Sequence, residues 1–426
     1  MKIPRWKWAP DGADPVQERN FRYVQIDGIG IGITGAASTF LPVFLARIGG
    51  TSLQLGLLSA MPAVTGFLFA LAIGRFLQNR GDIVRWFSTA RLLVYSAYLL
   101  TGLVPFLVAR SYVVPIVLLI WASVTVPQTI VNVAFSVVMN EVAGPEGRYF
   151  LMSKRWTVMG VTNAVIVAVV GKVLDSIPFS LNYQLVFMIL SLGGLVSFLF
   201  SSRIEIRAFS RPVKTEGSIL GRFGWYVRMV KGEPAFLSYI VKRFVFSFGA
   251  SMTAPLFPLY FVRTVQGSDT WIGSLNTVQT VAALFGYSLW SYLSRRRGNR
   301  FVLIATTLGL GLHPALVALT REQSLITCLA ACVGLFQSGL DLVFFDELMR
   351  RVPKEYSATF VSINHSMAYL SSILSPLLGS LLADQFGIPV ALAVAAVFRL
   401  AGFAMFCFGR DPDSPKPAAI ADTGNG

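Results

Sequence analysis

Charge is scarce in this chain. Only 13% of its 426 residues are Asp, Glu, Lys or Arg, against 54% hydrophobic, and the mean hydropathy is +0.63. A soluble domain carries about 25% charged residues, so a water-soluble globular fold is excluded. Acids are the rarer sign, 21 against 36 Lys and Arg, for a net charge of +15. The bases sit between long apolar runs and form no continuous patch, which excludes nucleic acid as a partner. Cysteine is almost missing: Cys328, Cys332 and Cys407 all lie in apolar runs. Cys328 and Cys332 share a helix face but have no His or carboxylate beside them, so no metal site is expected and they read as small lipid-phase residues. No Walker loop, nucleotide-binding domain or hydrolytic constellation is present, so neither ATP-driven work nor an enzyme is expected, and no cofactor. The opening residues, MKIPRWKWAPDGADPVQERN, lack the apolar core of a signal peptide. They read as a cytoplasmic tail, with Trp6 and Trp8 placed to rest in the headgroup region.

What the chain does have, it has twice. Leu41–Gly81 reads LPVFLARIGGTSLQLGLLSAMPAVTGFLFALAIGRFLQNRG, and from Phe257 the chain reads FPLYFVRTVQGSDTWIGSLNTVQTVAALFGYSLWSYLSRRRG. Pro42 and Arg47 fall on Pro258 and Arg263 at an offset of 216; Gly56, Arg80 and Gly81 fall on Gly273, Arg297 and Gly298 at 217. One residue is therefore inserted between Arg263 and Gly273. A second echo sets Pro145 and Gly171 on Pro353 and Gly379, at 208. Two like, mostly apolar halves are the sequence sign of a membrane transporter built of parallel repeats.

The apolar runs fall at about 23–46, 52–74, 86–109, 112–139, 154–174, 180–202, 235–262, 271–294, 301–320, 323–346, 357–383 and 387–409. Each is near the roughly 20 residues that span a bilayer. Alternate loops separate by charge. One set holds Arg75, Arg80 and Arg85; Arg148, Lys154 and Arg155; the run from Arg203 to Arg243; Arg295, Arg296, Arg297 and Arg300; and Arg350, Arg351 and Lys354. The other holds only Arg47, Arg110, Lys172, Arg263 and Arg321. The positive-inside bias puts the first set and both termini in the cytoplasm, in a multi-pass protein of the cytoplasmic membrane. The expected organisation is a tail (1–22), a six-helix bundle (23–202), a central cytoplasmic loop (203–234), a second six-helix bundle (235–409) and a disordered tail (410–426). Within the central loop, Ser218–Val230 alternates apolar and basic residues at helical spacing, which suits an amphipathic helix on the anionic inner leaflet.

On these features the chain resembles the major facilitator superfamily, whose members have twelve helices in two six-helix bundles joined by a long cytoplasmic loop. The resemblance implies an all-α integral membrane fold of twelve transmembrane helices in two pseudo-symmetric bundles, acting as a monomer on a small-molecule substrate. The family signature after helix two runs Gly-x-Leu-x-Asp-Arg-x-Gly-Arg-Lys/Arg. The first copy gives Gly74, Phe76, Gln78, Asn79, Gly81 and Asp82 at those places, with Arg80 before the glycine; the second gives Ser291, Leu293, Arg295, Arg296, Gly298, Asn299 and Arg300. Both turns keep their glycine and lack the signature acid, which in the family helps latch the cytoplasmic side. The Gly-Pro within helix five that marks family drug antiporters is also absent.

Mechanism is sought in polar residues at bilayer depth, where a charge costs about 2.5–3.5 kcal/mol and must face a cavity or a partner. Helix one carries Asp27, Gly30, Thr34 and Ser38; helix four carries Gln128, Asn132, Ser136 and Asn140; helix seven carries Arg243, Ser247 and Ser251; helix ten carries Gln337 and Asp341. Each set lies on one helical face. The resemblance implies that these same four helices line the central pathway. Asp27 and Arg243 are repeat-related at 216, and Asn132 falls beside Asp341 at 208. Asp27 or Asp341 against Arg243 is therefore a proton-coupling pair, an inward-side gate, or a set exposed at the headgroups with Arg243 and Lys242 snorkelling. For coupling, Asp27 is placed ahead because Gly28, Gly30 and Gly32 let backbone pack around it. Asn276, Gln279, Asn364 and His365 either touch substrate or tie helices together. His313 before Pro314 fills a kink, Arg399 needs a carbonyl or acid partner, and Pro42, Pro62, Pro255 and Pro258 are placed to kink their helices.

Many Phe side chains and few fixed charges suit a small, partly apolar solute, with protons as the coupling ion. Export by proton exchange is the first expectation. Uptake by proton symport or facilitated diffusion is the second, and a non-transporting membrane assembly or pigment-delivery factor the third.

Overall fold

A computed structural model describes residues 8–10, 12–78, 82–206, 232–351 and 357–409, and the described residues form helices without strands. In chain order the helices are α1 (Pro15–Ile48), α2 (Ser52–Gln78), α3 (Ile83–Leu107), α4 (Arg110–Ser123), α5 (Thr125–Ser176), α6 (Leu181–Ser201), α7 (Pro234–Leu259), α8 (Asp269–Arg297), α9 (Asn299–Ala318), α10 (Gln323–Arg351), α11 (Ser357–Phe386) and α12 (Ile388–Phe408). The expected amphipathic helix at Ser218–Val230, Arg80, Gly81 and the tail from 410 lie outside the described residues.

Helices four and five differ from expectation. A loop is expected across about 140–153, but the chain stays helical except at Gly144 (φ 66°, ψ 179°). That one left-handed residue, open to glycine alone without strain, turns the chain between a fourth crossing, Arg110–Gly144, and a fifth, Phe150–Ser176. Gln17 at the start of α1 fixes the turn by donating from Nε2 to the Ala143 carbonyl at 3.0 Å.

Eleven segments among the described residues are long and apolar enough to cross a bilayer, and α8 is the helix left out. At 29 residues it is long enough. Its Asp269, Thr270, Asn276, Thr277, Gln279 and Thr280 at one end and its three arginines at the other dilute the apolar stretch. A polar helix is tolerated at bilayer depth when neighbouring helices cover it, and α8 runs between α10 and the fifth crossing. The outer walls carry the lipid-compatible surface, with Leu68, Val165, Ile189, Leu192, Phe285 and Val397 all exposed.

Packing repeats with the sequence. In the N-terminal half α1 packs on α6 and the fifth crossing, and α3 on α6; in the C-terminal half α7 packs on α12 and α11, and α9 on α12. The halves join through α2 against α11 and the fifth crossing against α8, two repeat-related pairs. One end of the assembly, the near end, carries residues 8–14 and 409; the far end carries the short connections at 49–51, 177–180 and 265–268.

The named contacts between halves fall towards the far end. A Cβ on Gly56 of α2 would stand 2.3 Å from Ser380 Oγ and 3.1 Å from the Pro376 carbonyl of α11. A Cβ on Gly273 of α8 would stand 3.0 Å from the Val167 carbonyl of the fifth crossing. These two glycines are the repeat-related pair at offset 217, so the repeat marks the places where the halves must approach backbone to backbone.

Candidate functional site

Asp27 lies inside the N-terminal bundle. Its side chain is wholly buried, and Arg91 of α3 and Arg155 of the fifth crossing, 2% and 5% exposed, hold it from two sides. Arg91 Nη1 and Ser197 Oγ of α6 both donate to Oδ1, the latter at 2.6 Å, and Arg155 Nη2 stands 3.7 Å from Oδ2. The arginines lie over the rings of Phe87 and Phe135, at 4.0 and 4.7 Å. Gly30 permits this assembly, because a Cβ there would meet the Gly193 carbonyl of α6 at 2.5 Å.

This corrects the expected pairing of Asp27 with Arg243. The two are repeat-related, but Arg243 has its own neighbourhood: it donates to the Tyr239 hydroxyl at 3.2 Å and lies over the Phe344 ring at 5.0 Å. Arg91 and Arg155 are the partners that sequence reasoning missed, the second having been counted as a loop base. Their signal was present: Arg91 sits eight residues inside α3, where a base at bilayer depth needs an acid.

Asp341 is placed differently. It is exposed, and accepts from Gln337 Nε2 at 2.8 Å and from the Tyr287 hydroxyl at 3.3 Å. Neither donor is charged, and among the described residues no Lys or Arg stands within ion-pair distance, although Arg243 is near enough to act on both Asp341 and His365 by its charge. His365 is exposed, and Asn364 beside it is buried.

The other expected residues divide. Asn132 and Ser136 are exposed, and Gln128, half-buried, donates to Asn132 at 3.1 Å; the opposite face of that crossing, with Ala134, Val138 and Met139, is core. Ser38 is exposed, whereas Thr34 is fully buried, donates to the Gly30 carbonyl and packs on α6 at Gly193. Thr34 therefore leaves the expected stripe, because α1 turns that edge into its own bundle. Ser247 and Ser251 are half-buried, and Ser251 meets Ser372 of α11 at 3.5 Å. Asn276 and Gln279 are half-buried on α8; Asn276 Oδ1 has no hydrogen-bond partner, and the Gln279 carbonyl presses on Gly334 of α10. Arg399 finds a carbonyl, donating to Leu310 at 2.8 Å.

The far end holds a polar set that the charge reading passed over. Asp269, 6% exposed at the start of α8, accepts from Arg47 Nε at 2.8 Å and from the Tyr183 hydroxyl of α6 at 2.7 Å. Asp175, at the end of the fifth crossing, accepts the amides of Asp269 and Thr270 at 2.9 and 2.8 Å. It thereby places an anion on the open N-terminus of a helix from the other half.

Comparison with known proteins agrees with this architecture. The family model described as Major Facilitator Superfamily matches residues 240–424. The Multidrug resistance protein MdtG of Yersinia enterocolitica is 24% identical over 162 residues, which are 37% of this chain and 39% of its own length. The Escherichia coli protein of that name is 26% identical over 163 residues, 37% of this chain and 40% of its own. The chain thus spans about two fifths of the length of the curated relatives it matches. Among solved structures, a variant of the nucleoside transporter NupG superposes with a TM-score of 0.72 at 9% identity, over 92% of this chain and 100% of the other. A bacterial homologue of the iron transporter ferroportin in an inward-facing state gives 0.67 at 16%, over 92% and 98%. At such identities the likeness is one of fold. Residues 240–424 match the major facilitator superfamily, and the chain as a whole has a fold like that of its transporters.

The signature that the resemblance places after helices two and eight is present in altered form. Gly298 turns the chain between α8 and α9 at φ 80°. Asn299, one residue on, donates to Asp346 of α10, so the second copy meets its acid on a neighbouring helix. Arg296 lies over Tyr292, and Arg300 is exposed. Of the first copy, Gly74 ends near Val133 with room to spare, and Arg80 and Gly81 fall outside the described residues.

Proposed function

We propose that the chain is a secondary transporter that carries a small, partly apolar solute across the membrane by alternating access, and that the near end is cytoplasmic. The observation that carries the reading is the disposition of the halves. They are joined backbone to backbone towards the far end, while polar side chains of the fourth crossing and α10 stay exposed at bilayer depth. Exposed amides and a carboxylate facing hydrocarbon would each cost kcal/mol, so a water-filled cleft open to the near end accounts for them. On this reading the structure is an inward-facing state.

The coupling residue we propose is Asp341 in place of Asp27. Asp27 is committed to two arginines that stay with it in any rigid-body movement of its bundle. Asp341 is reached from the cleft and is held by neutral donors only, so it is free to trade a proton or a cationic group of the substrate. Export is the direction we propose, supported by the likeness to multidrug resistance proteins and by a sequence with many Phe and few charged residues.

Thermal unfolding of the purified protein across a panel of small amphipathic solutes tests the reading without a known substrate. A transporter is stabilised by at least one of them, in proportion to concentration over its dissociation constant. No response from any, with the fold intact, favours a membrane assembly factor instead. With a solute in hand, Asp341→Asn in proteoliposomes should lose accumulation driven by a pH gradient and keep solute exchange.

A further inference from the structure

The two far-end loops are copies of each other, and each reaches across to the other half. At the end of α1, Gly49 adopts φ 104°, its amide and that of Gly50 bond back to Ala46 and Leu45, and the Gly50 carbonyl accepts from the other half. This is the glycine-terminated helix end that satisfies its own last carbonyls. At the end of α7 the helix widens into a π turn at Tyr260–Thr264, just past Pro255 and Pro258. Gln266 adopts φ 55°, and Gly267 follows it. At the offset of 217, Gly49 corresponds to Gln266, Gly50 to Gly267, Thr51 to Ser268 and Ser52 to Asp269. Both loops share a left-handed residue, then a buried glycine, then a hydroxyl that caps the next helix: Thr51 accepts from Gln54 N, Ser268 from Trp271 N.

The arginines preceding these loops exchange. Arg47 Nη2 donates to the Gly267 carbonyl at 2.7 Å, and Arg263 Nη2 donates to the Gly50 carbonyl. Each guanidinium bridges the pseudo-two-fold axis to the glycine of the other copy. One feature breaks the symmetry. Where the first copy has Ser52, the second has Asp269, and only there does the arginine also gain a carboxylate, itself held by Tyr183. Asp175 adds two bonds to the same helix start.

We infer that this set is the outer latch of the protein: reciprocal arginine-to-glycine bonds across the two-fold axis, reinforced on one side by the Asp269 carboxylate and by Asp175. The inference rests on the alternating-access reading proposed above. All of these bonds run between the halves, so all must break together when the far end opens. Charge-assisted bonds to carbonyl and carboxylate are strong when closed, and each partner is solvated by water when open. The latch therefore sets the balance between the two states without touching substrate. The reinforced side carries more of it, so Arg47 contributes more than Arg263.

The test needs no substrate. In a Cys328→Ser, Cys332→Ser, Cys407→Ser background, Ser38→Cys places a probe on the exposed face of α1, and an impermeant maleimide is applied to right-side-out and inside-out vesicles. Arg47→Ala or Asp269→Asn is expected to raise labelling from outside about tenfold and lower it from inside, and Arg263→Ala to do so about threefold. The exchange Arg47→Asp with Asp269→Arg should restore most of the parent's rates. A rise from both sides, with no rescue by the exchange, marks a loosened fold and overturns the latch. Unchanged outside labelling in every variant also overturns it; where the parent itself labels slowly from outside, alternation stands without it.

Discussion

In the N-terminal half the membrane-buried acid, Asp27, is enclosed by Arg91, Arg155 and Ser197 of its own bundle. In the C-terminal half Asp341 lies exposed, with Gln337 and Tyr287 as its donors. The repeat puts Arg243 at the place of Asp27, so the two bundles carry opposite charges at matched positions. At the far-end contacts, by contrast, the copies keep the arginine, the buried glycine it reaches and the capping hydroxyl, and differ in charge only at Ser52 and Asp269. The difference teaches what each part is for. Contacts between halves must satisfy the two-fold relation and keep the repeat. Bundle interiors have no such constraint, and one has become a fixed ionic core while the other keeps a reachable carboxylate.

The sharpest way to break this comparison is to remove the N-terminal acid. Asp27→Asn leaves two buried guanidiniums with no anion, and breaking a buried pair in this way costs about 3–5 kcal/mol. A large fall in thermal unfolding temperature is expected in detergent. Arg155→Met, which leaves Asp27 paired one-to-one with Arg91, should cost much less. Equal losses would show that the arginines do not share the acid.

The contact between halves is next. Gly56→Ala drives a methyl into Ser380 Oγ, which is itself bonded to the Pro376 carbonyl. Overpacking of this kind costs about 1–3 kcal/mol, and here it falls on the closed state. Gly273→Ala should act in the same direction and more weakly, since its nearest contact is at 3.0 Å. Both are read as increased outside labelling at Ser38→Cys; no increase would detach these glycines from closure.

Asp341→Asn is the counterpart to Asp27→Asn. An exposed group with neutral partners contributes little to the fold, so stability should hold within about 0.5 kcal/mol. Gradient-driven accumulation of a responsive solute should fall by about tenfold, roughly 1.4 kcal/mol. A large loss of stability would make Asp341 a second structural acid and erase the contrast between the halves.

Much of the fold was legible because lipid constrains sequence so strongly: apolar length, alternating loop charge and the doubled Leu41–Gly81 stretch were enough to expect helices in two like halves. Helix α8 was placed both as the apolar run at 271–294 and as the repeat partner of α2, although its polar end leaves it the least apolar of the helices. The site was less legible. Helical spacing put Asp27 and Thr34 on a stripe with Ser38, but spacing gives the face of a helix and not which neighbour covers it. Here the glycines of α1 turn Asp27 and Thr34 into the bundle. The far-end set was invisible for another reason. Arg47 and Arg263 were seen as a repeat pair, but a partner that is a backbone carbonyl leaves no residue type to find, and Asp175 and Asp269 are 94 positions apart.

The finest comparison is within the loops themselves. Gly49 at φ 104° and Gln266 at φ 55° occupy the same place in the two copies. A side chain in the left-handed region carries strain of about 1 kcal/mol, which glycine does not. Gln266→Gly removes that strain but frees the unfolded chain, and the two effects oppose each other. The net change in thermal stability should be at most a few tenths of a kcal/mol. Gly49→Ala has only the strain, for although nothing lies within 4 Å of its new Cβ, the backbone angle is wrong for it. It should cost about 1 kcal/mol and weaken the Arg263 bond to Gly50 by moving that carbonyl. Thermal unfolding of both variants, with outside labelling at Ser38→Cys, reads the difference. Equal effects from the two substitutions would mean that the loops are copies in sequence only, and that Gln266 holds its angle without strain.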